Sequence, residues 1–231
     1  MTASLKIRRQ VVAVCRRLYD QGLIAGSDGN VSVRMERGGS GGRGGLLITP
    51  AGVSKVDVGV DDLVEVSWEG GSPPRSRAAR PSTELAMHVR LYRRRSDVRA
   101  VVHAHPPFAT AFAAAGATLP ADALPEMVYQ LGNIAYVPFV VPGSEAVADA
   151  MEPFISEHDV FLFANHGATT AGATLSIAHQ RMESLEHGAR IVWIARALGG
   201  ARALPADAVA LLHGARAARV QWTPNDSRSR S

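Results

Sequence analysis

The chain has 231 residues, 46% of them hydrophobic and 20% charged, a composition that suits one substantial globular core and excludes a disordered or membrane-embedded class. No apolar run approaches the roughly 18 residues of a membrane-spanning helix, so no membrane role is expected. Lys and Arg (25) exceed Asp and Glu (21) only slightly, and aromatics are 6%, too few to interleave a basic groove, so nucleic acid is not an expected partner either.

Residues 4–21 are predicted as an amphipathic helix ending near Gly22, with Leu5, Val11, Val12, Cys15 and Leu18 on its apolar stripe. Lys6, Arg8, Arg9, Arg16 and Arg17 interrupt that segment and exclude a secretory leader. Cys15 is the single cysteine; it excludes an internal disulfide framework, fits a reducing cytoplasm and reads as core filler. Val31–Arg34 and Leu46–Thr49 read as a hairpin around a Gly-rich tip, residues 38–45, and Val64–Trp68 as another strand. Residues 72–80 are extended and rich in Pro, Ser and Arg, and a helix begins at Ser82 or Thr83 and runs to about Arg95.

Val98–Val102 leads into His103 as a short buried strand, followed by an Ala-rich helix over 107–115 that Gly116 ends. Ala135–Phe139 is a strand whose Pro138 implies an edge position or a bulge. Glu145–His158 is predicted as one helix capped by Ser144, and Val160–Ala164 as an apolar strand. The longest helix runs from about Thr174 to Leu198, with Ile177, Met182, Leu185, Ala189, Val192 and Trp193 on one stripe. A short helix covers 205–218. The expected organisation is one catalytic domain, residues 1–222, and a disordered polar tail, 223–231.

His103 and His105 stand two apart at a strand end and point to one face, because side chains alternate along a strand. His166 also follows an apolar run. Pro106 and Pro107 stop the first strand, and Gly167 allows a sharp turn after His166. Two readings stay open at this level. The rings are partly buried histidines with satisfied nitrogens, or they converge as three imidazoles on one divalent ion with an open fourth position.

Glu84 follows Pro81-Ser82-Thr83 where a helix begins. Ser82 and Thr83 are helix caps, or they form an anion site at the helix start with Glu84 beside it as a general base. Asp28-Gly29-Asn30 is a tight turn, or a donor of a backbone N–H and an amide to the same anion. His88 lies one turn after Glu84 and reads as a residue that orients it or packs at a subunit contact. His187 reads as a helix pair with Glu183, and His158, His179 and His213 as surface or helix residues. Lys6 and Lys55, the only lysines, read as exposed. Arg75, Arg77 and Arg80, and the run from Arg90 to Arg95, read as solvated.

Taken together, Gly26–Arg34, Leu47–Val53, Pro81–Glu84, Val101–His105 and Asn165–Gly167 resemble the class II aldolase/adducin family. Leu124–Glu126 and Arg181–His187 are similar to its bacterial and archaeal aldolase-like branch, and ordered matches span roughly residues 5–198. The resemblance implies a three-layer α/β/α domain around a mainly antiparallel sheet, assembled as a homotetramer with active sites between subunits. It implies that His103, His105 and His166 hold Zn2+, with Mn2+ or Co2+ as alternatives, and that Glu84 is the acid/base. Gly29, Asn30, Gly52, Ser82 and Thr83 would hold the phosphate of a small phosphorylated sugar. The implied reaction is retro-aldol cleavage of a ketose 1-phosphate, of the L-fuculose 1-phosphate kind, to dihydroxyacetone phosphate and an aldehyde. Epimerase, decarboxylase and dehydratase chemistry on the same site are the rivals.

Two departures stand out. Ala51 replaces the Thr or Ser that the family pattern carries there, which removes one phosphate donor. Ungapped alignment also puts Ala123-Leu124 where the aldolases carry a His-Tyr pair whose Tyr is a proton donor. A non-catalytic adducin-like module would lack the metal ligands, all of which this chain keeps. A cupin-like dioxygenase would need a Glu shortly after His105, and residues 106–125 contain none.

Overall fold

The structure is a computed structural model that describes residues 3–35, 44–68 and 80–221. The expected disordered tail and residues 38–43 of the first hairpin's tip therefore lie outside the described residues, as do Arg75 and Arg77, while Gly45, expected in the tip, opens β2. The elements are α1 (Ala3–Asp20), β1 (Asn30–Met35), β2 (Gly45–Ile48), β3 (Val64–Ser67), α2 (Leu85–Arg94), β4 (Ala100–Ala104) and α3 (Pro107–Ala114). They continue with α4 (Pro125–Leu131), β5 (Ile134–Val137), α5 (Glu145–Met151), β6 (Val160–Phe163), β7 (Gly167–Gly172), α6 (Leu175–Ala197) and α7 (Ala206–Gln221).

Among the described residues the strands form one seven-stranded sheet, ordered β3-β2-β1-β4-β7-β6-β5. Every neighbouring pair is antiparallel except β5 with β6, which are parallel and joined through α5. Alternation along β4 divides the core. Ala100, Val102 and Ala104 face α1, α3, α4 and α6, whereas Val101 faces α2 and α5. The fold is thus the expected α/β/α arrangement with a mainly antiparallel sheet. No helix among the described residues is long and apolar enough to cross a membrane.

α1 buries Val11, Val14, Cys15 and Leu18 and ends where Gly22 takes φ 68°. Gly22 N–H donates to Tyr19 O and Leu23 N–H to Leu18 O, both at 2.9 Å, the paired bonds of a glycine C-cap. Burial pushes the Cys15 thiol up to about 12, which keeps it an inert core residue. β5 lies at the sheet edge and stops before Pro138, two residues short of the expected strand. α5 also ends early: Pro153 leads a 3-10 turn, Glu152–Phe154, so the segment to His158 is not one helix. Ser144 occupies the N-cap position, but its hydroxyl donates to Val141 O at 2.9 Å instead of capping. On α6, Trp193 is 57% exposed and packs its ring at a 58° tilt to Phe108, with centroids 5.6 Å apart, so it leaves the expected buried stripe.

Candidate metal centre

One end of the sheet gathers the chemistry-bearing residues. His103 is the fourth residue of β4, paired with Asn30 of β1 on one side and Thr169 of β7 on the other. His105 lies just past that strand, where Pro106 ends the extended run. His166 sits in the tight connection between β6 and β7, closed by its N–H donating to Phe163 O at 3.2 Å. That turn requires Asn165 at φ 54°, a left-handed conformation that Asn tolerates better than most side chains.

The three histidines each offer a ring nitrogen, and these atoms lie within 4.8 Å of one another. His103 is fully buried, and its Nδ1 lies 2.9 Å from Thr169 Oγ1. The Thr169 hydroxyl in turn donates to Met87 Sδ at 3.3 Å, so its oxygen accepts the Nδ1 proton of His103. His103 Nε2 is then a bare lone pair, 3.2 Å from His105 Nε2. Burial, with the neighbouring His166 and His105 rings, holds His103 well below the ordinary histidine pKa, and burial also lowers His166.

Glu84 stands against this cluster, its Oε2 3.1 Å from His103 Nε2 and its Oε1 3.4 Å from His166 Nε2. With His103 neutral, that approach is two acceptors facing each other rather than an ion pair. Glu84 Oε1 is buried with no hydrogen-bond partner. Three imidazoles and an orphaned carboxylate oxygen, gathered so that each lies within hydrogen-bond distance of another, fit a divalent cation of the zinc type. His105, 27% exposed, also faces Asp28 Oδ2 across 3.5 Å from its Nδ1, which leaves its Nε2 toward the cluster.

A cavity of about 260 Å³ opens on this cluster. His105, His166 and Glu84 line it, and Gly29, Asn30, Gly52, Ser82 and Thr83 line the same space. His103 is buried behind them. Gly29 and Gly52 take φ 70° and 72°, and a Cβ at Gly29 would lie 2.7 Å from His103 O. Only glycine lets that turn lie against the ligand strand. The helix start differs from expectation: α2 begins at Leu85, Glu84 is its N-cap residue, and no side chain caps it. Ser82 Oγ instead accepts from Glu84 N–H at 3.3 Å, forming the turn that aims the carboxylate.

Several residues stand elsewhere than the sequence suggests. Lys55 is 2% exposed, lines the cavity and donates to Ser27 O at 2.8 Å and Val53 O at 2.9 Å. Burial lowers its pKa. Its loop position hid that burial, and only its rarity in the chain marked it. His179, not His187, is the buried partner of Glu183, at 3.2 Å. His187 lines a separate hollow of about 490 Å³ with Glu186 and Arg190, away from the three-histidine cluster. Arg90 and Arg95 are not merely solvated: Arg90 bridges Asp149 and Glu152, and Arg95 bridges Asp97 and Asp159.

Residues 9–193 match the model of the Class II Aldolase and Adducin N-terminal domain. The chain belongs to the class II aldolase and adducin family. It is 29% identical over 202 residues to 5-deoxy-D-ribulose 1-phosphate aldolase of Bacillus thuringiensis, covering 87% of this chain and 91% of that one. It is also 29% identical over 202 residues to 3-oxo-tetronate 4-phosphate decarboxylase of Pectobacterium atrosepticum, covering 84% and 87%. The crystal structure of L-fuculose-1-phosphate aldolase from Thermus thermophilus superposes with a TM-score of 0.70 at 31% identity, covering 88% of this chain and all of that one.

Proposed function

We propose that this protein is a divalent-metal lyase that cleaves a ketose 1-phosphate to dihydroxyacetone phosphate and an aldehyde. Residues 1–222 form its catalytic unit, with His103, His105 and His166 as the metal ligands. The observation that carries this reading is Glu84. Its one unpartnered oxygen lies 3.4 Å from His166 Nε2, and the residue lines a cavity that Gly29, Asn30, Gly52, Ser82, Thr83 and Lys55 also line.

When bound, a divalent ion such as zinc supplies Lewis-acid polarisation of the substrate carbonyl. Retro-aldol cleavage breaks the C3–C4 bond: the C4 hydroxyl passes its proton to Glu84, its oxygen becomes the carbonyl of the departing aldehyde, and the bonding electron pair remains on C3. Glu84 delivers a proton to C3 in cleavage and removes it in the reverse direction. Asn30 Nδ2 holds Oε2 of Glu84 at 2.8 Å, which leaves Oε1 for this work. The phosphate goes to the part of the cavity lining where Gly29, Asn30, Gly52, Ser82 and Thr83 offer donors and Lys55 supplies the positive charge. That charge also answers the hydroxyl lost at Ala51.

The test is release of dihydroxyacetone phosphate from a panel of ketose 1-phosphates, including L-fuculose 1-phosphate and 5-deoxy-D-ribulose 1-phosphate, with and without a chelator. Release that a chelator abolishes and zinc restores supports the reading. A metal-loaded protein that releases none from any of them refutes it.

A decarboxylase is the second reading, favoured by Ala123-Leu124 in place of the aldolase His-Tyr pair. Loss of carbon dioxide needs no deprotonation of a C4 hydroxyl, so that proton donor is dispensable. Carbon dioxide release from a phosphorylated 3-oxo acid would identify it. Exposed Phe139 and Val141 beside the cavity's Pro142 and Gly143, with Trp193 and Ile194 on α6 and Leu198 just past its end, support a homotetramer that closes the site between subunits. Sedimentation of the metal-loaded protein as a monomer would remove that assembly.

A further inference from the structure

Behind Glu84 the polar atoms continue inward as an unbroken chain. Glu84 Oε2 accepts from Asn30 Nδ2 at 2.8 Å, and Asn30 Oδ1 lies 2.5 Å from His88 Nε2. His88 Nδ1 lies 2.6 Å from Ser32 Oγ, which lies 2.8 Å from the Tyr92 hydroxyl. Asn30 and Ser32 stand two apart on β1, and Glu84, His88 and Tyr92 recur every four residues along α2 and its cap. Strand and helix periods therefore place all five on one seam. Asn30, Ser32, His88 and Tyr92 are each no more than 3% exposed.

Chemistry allows one direction through this chain. A carboxylate only accepts, so the Asn30 NH2 faces Glu84 and its Oδ1 must accept from His88 Nε2–H. A neutral imidazole has one N–H, which leaves His88 Nδ1 to accept from Ser32 O–H. The Ser32 oxygen then accepts from Tyr92 O–H. Burial pushes the His88 pKa down to about 3, which keeps the ring neutral as this pattern requires. Every donor points toward Glu84, and each bond polarises the next.

We infer that Tyr92, Ser32 and His88 are positioning residues for Glu84, locking the Asn30 amide so that Oε2 is held and Oε1 is left to meet substrate. The inference rests on the reading of Glu84 as the acid/base. A flipped Asn30 amide would aim its oxygen at the carboxylate and swing it off both imidazoles.

The experiment compares zinc-loaded His88→Gln, His88→Leu, Ser32→Ala and Tyr92→Phe with the unsubstituted protein. A Gln tip carries an NH2 donor group and an acceptor oxygen where the neutral ring has its N–H and bare nitrogen, while Leu fills the space with neither. The kcat should fall about tenfold or more in His88→Leu and a few-fold in Ser32→Ala and Tyr92→Phe. It should stay close to the unsubstituted value in His88→Gln, with KM and zinc content unchanged throughout. Equal losses in the Gln and Leu variants, or losses that follow melting temperature alone, would overturn the inference. A second readout needs no substrate: the long-range 1H–15N spectrum of His88 should show a single Nε2–H tautomer. An Nδ1–H or averaged tautomer overturns the positioning role even if the enzyme is active. The Nε2–H tautomer in a protein inactive on every ketose 1-phosphate would instead fault the assigned reaction alone.

Discussion

The His105 imidazole occupies the space that a side chain at Gly167 would need. A Cβ at position 167 would lie 2.5 Å from His105 Cδ2 and 2.6 Å from Ala104 O. Ala104 is paired with Ala168 next door, so its carbonyl cannot retreat; the imidazole must move, and the His166–Gly167 turn must shift with it. Gly167→Ala should weaken zinc binding about 10- to 100-fold, measured by competition with a chromophoric chelator. Gly52→Ala is the control: its φ of 72° is strained for alanine, but nothing lies within 4 Å of the added atom. That variant should keep its zinc affinity, and similar zinc losses in the two would show that backbone strain, not contact with His105, is responsible.

Glu84→Gln preserves the shape of the side chain and removes its ability to accept and return a proton. The amide oxygen can still accept from Asn30, and its NH2 then faces the imidazole cluster. Zinc content should stay near one per chain, while turnover falls about 10²- to 10⁴-fold. Turnover near that of the unsubstituted enzyme would remove Glu84 from the chemistry and point to a base from outside this chain's pocket.

The histidine cluster was legible because its punctuation is local. Pro106 and Gly167 mark the ends of elements, and His103 and His105 share a face by strand alternation alone. β7 was not legible: Gly167-Ala168-Thr169-Thr170-Ala171-Gly172 has no bulky apolar alternation, yet every residue is buried. Small residues suffice there because β4 and β6 flank the strand and α6 covers it, and only the assembled sheet reveals that. α4 hid for a similar reason, since Pro125–Leu131 is too short to show a helical period. The donor chain to Glu84 was half visible. The spacing of Glu84 and His88 suggested an orienting role, but Ser32 and Asn30 come from a strand more than fifty residues away.

Lys55 gives the clearest contrast between a charged residue's appearance in sequence and its place in the fold. Its ammonium ties Ser27 O to Val53 O and thus joins the two loops that wall the cavity. Lys55→Met should cost about 1–3 kcal/mol of folding stability, because both carbonyls lose their donor. Lys55→Gln keeps a donor but removes the charge, and inorganic phosphate should then bind the zinc-loaded protein about tenfold more weakly by calorimetry. Unchanged phosphate affinity in the Gln variant would leave Lys55 a strut between loops and assign the anion to backbone and hydroxyl donors alone.

The buried histidines also predict how stability depends on pH. In the unfolded chain His88 takes up a proton near pH 6.5, whereas in the folded chain burial delays this to about 3. Between those values the unfolded state holds more protons, so the folded state loses stability as pH falls below about 6.5. The slope from one such residue is about 1.4 kcal/mol per pH unit. His103, held well below its ordinary pKa by burial and its neighbouring rings, acts in the same direction. Urea unfolding of the metal-stripped protein from pH 7 to pH 4.5 should show this decline. In His88→Gln the slope should be shallower by about 1.4 kcal/mol per pH unit, because glutamine does not titrate and the carboxylates common to both proteins cancel. An identical slope in the two proteins would mean that folded His88 accepts a proton in this range, which the donor chain through Ser32 forbids.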